Sequence, residues 1–128
     1  MTSRPFIQGS TEIMIIDDDE DILNLFSDFL TKEGFNVKPF LDPFRAIDEI
    51  QERPQKYSLI ITDIRMPGMS GIELITRLSK INPEIKVILM SAFDLNGDNL
   101  KHIDYEEFIQ KPVHMRSLVQ TIIKILKR

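Results

Sequence analysis

The run Tyr57 to Thr62 is almost entirely apolar and then stops abruptly on a carboxylate, Asp63. Six residues is the length of one strand, and a continuous apolar run, as opposed to an alternating one, marks a strand covered on both faces. Ile13 to Ile16 stops in the same way at Asp17, and Ile85 to Met90 runs into Ser91. A shorter run, Phe35 to Phe40, contains Pro39, which cannot donate a ladder hydrogen bond and so belongs on a sheet edge. Phe108 to Gln110 is a brief fifth strand leading to Lys111 and Pro112. Strands covered on both faces need helices on both sides of the sheet, which confines the chain to a layered α/β arrangement.

The intervening segments carry that helical signal. Ile22, Leu23, Leu25, Phe26, Phe29 and Leu30 recur at helical spacing, and Gly34 stands at the C-cap. Asp42 followed by Pro43 reads as an N-cap with proline at the first helical position, and Phe44, Ile47 and Ile50 supply a buried face. Ser70 and Glu73 have the spacing of a capping box opening a helix that buries Ile72, Ile75 and Leu78. Met115, Leu118, Val119, Ile122, Ile123 and Leu126 mark an amphipathic last helix. Between Asp94 and Tyr105 the pattern supports a short, poorly specified helix, because Gly97 and its Asn and Asp neighbours favour turns. The expectation is five strands alternating with five helices in a doubly wound parallel sheet, its crossovers right-handed. Residues 1–11 read as a flexible arm before one domain spanning residues 12–128.

The 128 residues fit a single core. No apolar run approaches the ~20 residues of a membrane span and no signal-peptide core is present, so a cytoplasmic protein without membrane attachment is expected. Zero cysteines exclude disulfides, thiol catalysis and thiolate metal sites. A net charge of -4 gives no footprint for direct nucleic-acid binding, leaving a protein or a cation as partner.

In sheets of this class ligands bind beyond the carboxyl ends of the strands. Those ends carry Asp17 and Asp18, Asp63, Ser91 and Lys111, so topology alone gathers them. Two carboxylates ~4 Å apart repel by about 4 kcal/mol at an effective dielectric of 20. A hard divalent ion relieves that repulsion, and magnesium suits a site with few carboxylates and retained waters. A carboxylate such as Asp63 can also attack phosphorus, forming an aspartyl phosphate. That reaction needs its phosphoryl oxygens neutralised, which Mg2+, the Lys111 ammonium and the Ser91 hydroxyl would share. Asp19, Glu20 and Asp21 read differently, as the acidic first turn of a helix.

The motifs IMIIDDDEDI (Ile13 to Ile22), IITDIRMPGMSG (Ile60 to Gly71), LMSA (Leu89 to Ala92) and FIQKP (Phe108 to Pro112) occur in this order. Together they resemble the receiver domains of two-component response regulators, the fold family of the chemotaxis response regulator. The resemblance implies a flavodoxin-like strand order 2-1-3-4-5 and phosphorylation of Asp63 by a sensor histidine kinase or phosphotransfer protein. It also implies Mg2+ held by Asp17, Asp18, Asp63 and the Arg65 backbone carbonyl. Ser91 becomes the switch hydroxyl, Lys111 the phosphate-sensing lysine and Phe108 the aromatic that turns inward. The Lys111–Pro112 peptide is then cis, and the signal passes to a downstream protein through the fourth helix, fifth strand and last helix. Such a chain is no enzyme beyond accepting and slowly losing its own phosphoryl group.

Three rival readings share parts of this pattern. A haloacid-dehalogenase-like phosphatase also uses a strand-end aspartate, a lysine and magnesium, and Asp17 with Asp19 gives its D-x-D spacing. Asp21 stands where that motif wants Thr or Val, and the chain is short for its insertions. A flavodoxin-like electron carrier is opposed by the acids, which repel a flavin phosphate. A receiver-like interaction module that no longer accepts phosphate is opposed by retention of every acid.

Overall fold

The computed structural model describes residues 12–92, 100 and 103–127. Five strands, β1 (Glu12–Ile16), β2 (Asn36–Phe40), β3 (Tyr57–Asp63), β4 (Lys86–Ser91) and β5 (Glu107–Gln110), form one parallel sheet in the order 2-1-3-4-5. Four helices pack on it among the described residues: α1 (Glu20–Lys32), α2 (Pro43–Glu52), α3 (Gly71–Ile81) and α4 (Met115–Leu126). The count is therefore four instead of the expected five. The sequence places the fifth helix at 94–105, and residues 94–99, 101 and 102 of that span lie outside the described residues, as do residues 1–11.

The unbroken apolar runs are explained by two cores, one on each face. Met14, Ile16, Ile60, Val87 and Leu89 point to one side and meet α2 and α3 through Ala46, Ile47, Ile50, Leu74, Ile75 and Leu78. Their neighbours Ile13, Ile15, Leu59, Ile61, Ile88 and Met90 point to the other and meet α1 and α4. Alternate residues of a strand face opposite ways, so a strand serving two cores must be apolar at every position. Pro39 lies on β2, an edge strand as its missing donor requires, paired with Ile15.

Helix ends follow local chemistry closely. The Asp42 carboxylate accepts from Phe44 N–H at 2.9 Å, with Pro43 opening α2. After α1, Gly34 takes φ +100° while Gly34 N–H donates to Thr31 O and Phe35 N–H to Leu30 O, a Schellman closure that a side chain at this φ would strain. Ser70 Oγ caps α3 by accepting from Glu73 N–H at 3.1 Å. The reciprocal half of the expected capping box is replaced: the Glu73 carboxylate takes Arg77 one turn on, at 2.6 Å.

Two apolar side chains depart from their expected places. Leu25 is 61% and Phe44 49% exposed. On α1 the buried stripe is Leu23, Phe26 and Leu30, and Leu25 falls off it. On α2 burial belongs to Pro43, Ala46, Ile47 and Ile50, so Phe44, in the first turn, projects past the sheet end toward Gly68.

At the opposite end of the sheet from the acids, Tyr57 anchors β3 to α2. Tyr57 is 2% exposed and its hydroxyl donates to Glu49 Oε2 at 2.6 Å. Arg53 and Lys56 also reach Glu49, at 2.8 and 3.5 Å. The Tyr57 bond is the main reason the Glu49 carboxyl titrates below its ordinary value, while burial, then Glu49, pushes the Tyr57 phenol up. A depressed carboxylate contributes stability above its unfolded pKa of about 4.3 and loses it as pH falls through the folded value. Tyr57→Phe is expected to cost about 1–2 kcal/mol at pH 7. In urea titrations its deficit shrinks on acidification, because Glu49 no longer gains from the bond once protonated.

Candidate functional site

The carboxyl ends of β1, β3 and β4 meet because the parallel ladder sets them side by side: Ile16 pairs with Thr62, and Asp63 with Met90. Asp17 follows β1, Asp63 ends β3, Ser91 ends β4, and Lys111 follows β5. Lys111 N–H donates to Ser91 O at 2.7 Å, which ties the turn after β5 to the end of β4. The Lys111–Pro112 peptide is cis, as the resemblance implies.

The Lys111 ammonium lies between two acids, 3.0 Å from Asp17 Oδ2 and 3.0 Å from Asp63 Oδ2. Asp17 is 1% and Asp63 8% exposed, so both charges are held where water screens them poorly. Burial by itself would lower the Lys111 pKa. The hydrogen bonds that the ammonium donates to Asp17 and Asp63 outweigh it, and the group is held above the ordinary lysine value.

Asp18, adjacent in sequence to Asp17, is exposed. One oxygen from each of Asp17, Asp18 and Asp63 lies within 4.8 Å of the others. This donor set fits a hard divalent cation: three carboxylate oxygens, with a solvent-facing side at Asp18 where waters can complete the shell. Asp19 takes a different part. Its Oδ1 accepts from Asp21 N–H at 3.0 Å and Ile22 N–H at 3.2 Å, capping α1. That role removes the second acid from the D-x-D pattern of the phosphatase reading.

Asp63 Oδ1 accepts weakly from Arg65 N–H at 3.4 Å, and Arg65 itself is an exposed residue. Ser91 is fully buried at the end of β4. Phe108 is half-buried on the edge strand β5, paired with Leu89 and packed against the core beneath α2 and α3. Asp17, Asp18, Asp63 and Lys111 are thus brought together directly, and Ser91 joins them through the Lys111 backbone. Phe108 lies on β5, three residues before Lys111, which follows that strand. Two residues without a role in the sequence reading also touch Asp63 here. Thr62 Oγ donates to Asp63 O at 3.0 Å, and Gly71 packs on the same carbonyl. The signal for Gly71 was a glycine immediately after a serine N-cap, where no positive φ is needed.

Comparison with known proteins agrees with this geometry. The pattern described as the response regulator receiver domain matches residues 13–123. The response regulator receiver protein CpdR of Brucella abortus (strain 2308) is 37% identical over 117 residues, covering 89% of this chain and 95% of that protein. A CheY-like response regulator receiver domain protein from Methanospirillum hungatei JF-1 superposes with TM-score 0.86 at 26% identity, over 93% of this chain and 95% of the other. A receiver domain protein from Clostridium thermocellum gives TM-score 0.84 at 27% identity, over 92% and 95%. The chain spans about half the length of several other curated relatives that it matches. These likenesses run through the same strands whose ends form the acidic site, and the chain belongs to the response regulator receiver domain family.

Proposed function

We propose that this receiver domain accepts a phosphoryl group on Asp63 and uses the resulting charge to change a protein-binding face. The observation that carries the reading is the Lys111 ammonium bridging Asp17 and Asp63 at 3.0 Å beside the exposed acid Asp18. An Asp63 oxygen attacks phosphorus, the bond from phosphorus to the donor's nitrogen or oxygen breaks, and the donor leaves with that electron pair. The product is a mixed anhydride, and the same phosphorus is later open to water. Lys111 meets the developing negative charge on one phosphoryl oxygen, and a Ser91 hydroxyl donates to another.

Asp17, Asp18, Asp63 and the Arg65 backbone carbonyl would hold Mg2+. The metal supplies charge neutralisation at the phosphoryl oxygens when bound. The donor is a sensor histidine kinase or phosphotransfer protein, the partner classes with which receiver domains interact. The domain turns over no separate substrate and only accepts and slowly loses its own phosphoryl group.

A phosphoryl group adds about 1.5 to 2 negative charges and strong acceptor oxygens, which draw Ser91 and Lys111 toward Asp63. Space vacated by Ser91 is filled by Phe108 turning inward, which reshapes the surface around β5 and α4 for a downstream protein. No helix among the described residues is long and apolar enough to cross a membrane. Incubation with acetyl phosphate and Mg2+ followed by intact mass measurement is expected to show one added phosphoryl group. Absence of any gain with Mg2+ present would refute the reading.

A further inference from the structure

Gly71 is the first residue of α3, directly after the Ser70 cap, and its φ is not positive. Backbone conformation therefore gives no reason for glycine there, and alanine is the better helix former. Space gives the reason. A Cβ on Gly71 would overlap the Asp63 carbonyl oxygen and would stand 2.9 Å from Ile64 Cα and 3.0 Å from the Asp63 carbonyl carbon. Every one of these atoms is backbone, so none can swing aside as a side chain tip would.

The same short stretch of backbone is fixed from other directions. Gly71 N–H donates to Ile64 O at 2.8 Å, and Ile64 N–H donates to Met90 O at 2.9 Å. Thr62, fully buried, donates its hydroxyl to Asp63 O at 3.0 Å. The Asp63 peptide is thus clamped between the start of α3, the end of β4 and the Thr62 hydroxyl. Its carboxylate is in turn 3.0 Å from Lys111. Shifting the carbonyl moves the carboxylate, because they share one Cα.

We infer that Gly71, with Thr62, is a positioning residue that sets where the Asp63 carboxylate stands for reaction. The inference rests on Asp63 being the acceptor. Gly68 supplies the control: it lies in the same loop at φ +82°, where a side chain is strained, but its Cβ would meet only the Phe44 ring, at 3.5 Å. Replacement there strains the loop without pressing on Asp63.

The test compares phosphoryl uptake from acetyl phosphate at saturating Mg2+, expressed per folded molecule, in wild type, Gly71→Ala, Gly68→Ala and Thr62→Val. Folded fractions come from circular dichroism at the assay temperature. Gly71→Ala is expected to react ~10- to 100-fold more slowly, the effect of displacing a reacting group by about 1 Å, while Gly68→Ala reacts at the wild-type rate even where its melting temperature falls. Thr62→Val, which keeps the side-chain shape, is slowed by a smaller factor. Wild-type rates in folded Gly71→Ala, or equal slowing in Gly68→Ala, would overturn the inference. Should Gly71→Ala not fold, a wild-type rate in Thr62→Val overturns it instead. A wild type that takes no phosphoryl group while binding Mg2+ would overturn the acceptor assignment itself, and this inference with it.

Discussion

Asp63→Asn is expected to lose the phosphoryl label from acetyl phosphate completely while remaining folded. The amide keeps the size of the carboxylate, so packing at the end of β3 is preserved, but the nucleophilic oxygen anion is gone. Charge changes as well. Lys111 loses one of its two partners and retains Asp17 at 3.0 Å. Two of the three clustered acids remain, so Mg2+ binds more weakly in isothermal titration. Intact mass decides the matter: a labelled Asp63→Asn protein would place the phosphoryl group elsewhere and sink the assignment. With the label goes any switching of the surface around β5 and α4.

Lys111→Ala is expected to have the second largest effect, and a divided one. Without metal, removing the ammonium leaves Asp17 and Asp63 buried and facing each other, at a cost of about 3 kcal/mol in urea unfolding at neutral pH. Added Mg2+ recovers much of that stability, because the cation neutralises the same carboxylates. Metal binding therefore survives. Phosphoryl uptake slows ~10²-fold for want of a charge on the transferring oxygens, and the phosphorylated variant fails to draw the β5 turn toward Asp63. Amide chemical shifts of Ser91 and Phe108 on phosphorylation report this last step. Equal loss of metal binding and signalling would show the lysine to be a structural strut instead.

The elements whose causes are local were legible in the sequence. Asp42 with Pro43, Ser70 at the head of α3 and Gly34 after α1 each act within a few residues, and each is found where its chemistry requires. Asp17, Asp63 and Ser91 were legible for a related reason: a polar residue ending a two-faced apolar strand has one place to go, the carboxyl end of the sheet, and Lys111 follows the edge strand β5 to that same end. Failures fall where a second segment decides. Helical spacing marks Leu25 and Phe44 as apolar without saying whether a neighbour covers them, and both are exposed. One departure is local instead: the Glu73 carboxylate had two partners within reach on its own helix, the helix start and Arg77, and the ion pair took it.

The sequence by itself determined a parallel sheet covered on both faces, with its acids, hydroxyl and lysine at one end. Continuity of apolar residues and strand-end polarity are properties of single segments. The tertiary structure alone decided how the adjacent acids Asp17 and Asp18 divide their labour. Asp17 turns inward to Lys111 and Asp18 outward to solvent. It decided also that the Asp63 carbonyl is wedged against Gly71. These outcomes depend on contacts between residues as far apart as Asp17 and Lys111, which exist only once the crossovers have set the strands side by side.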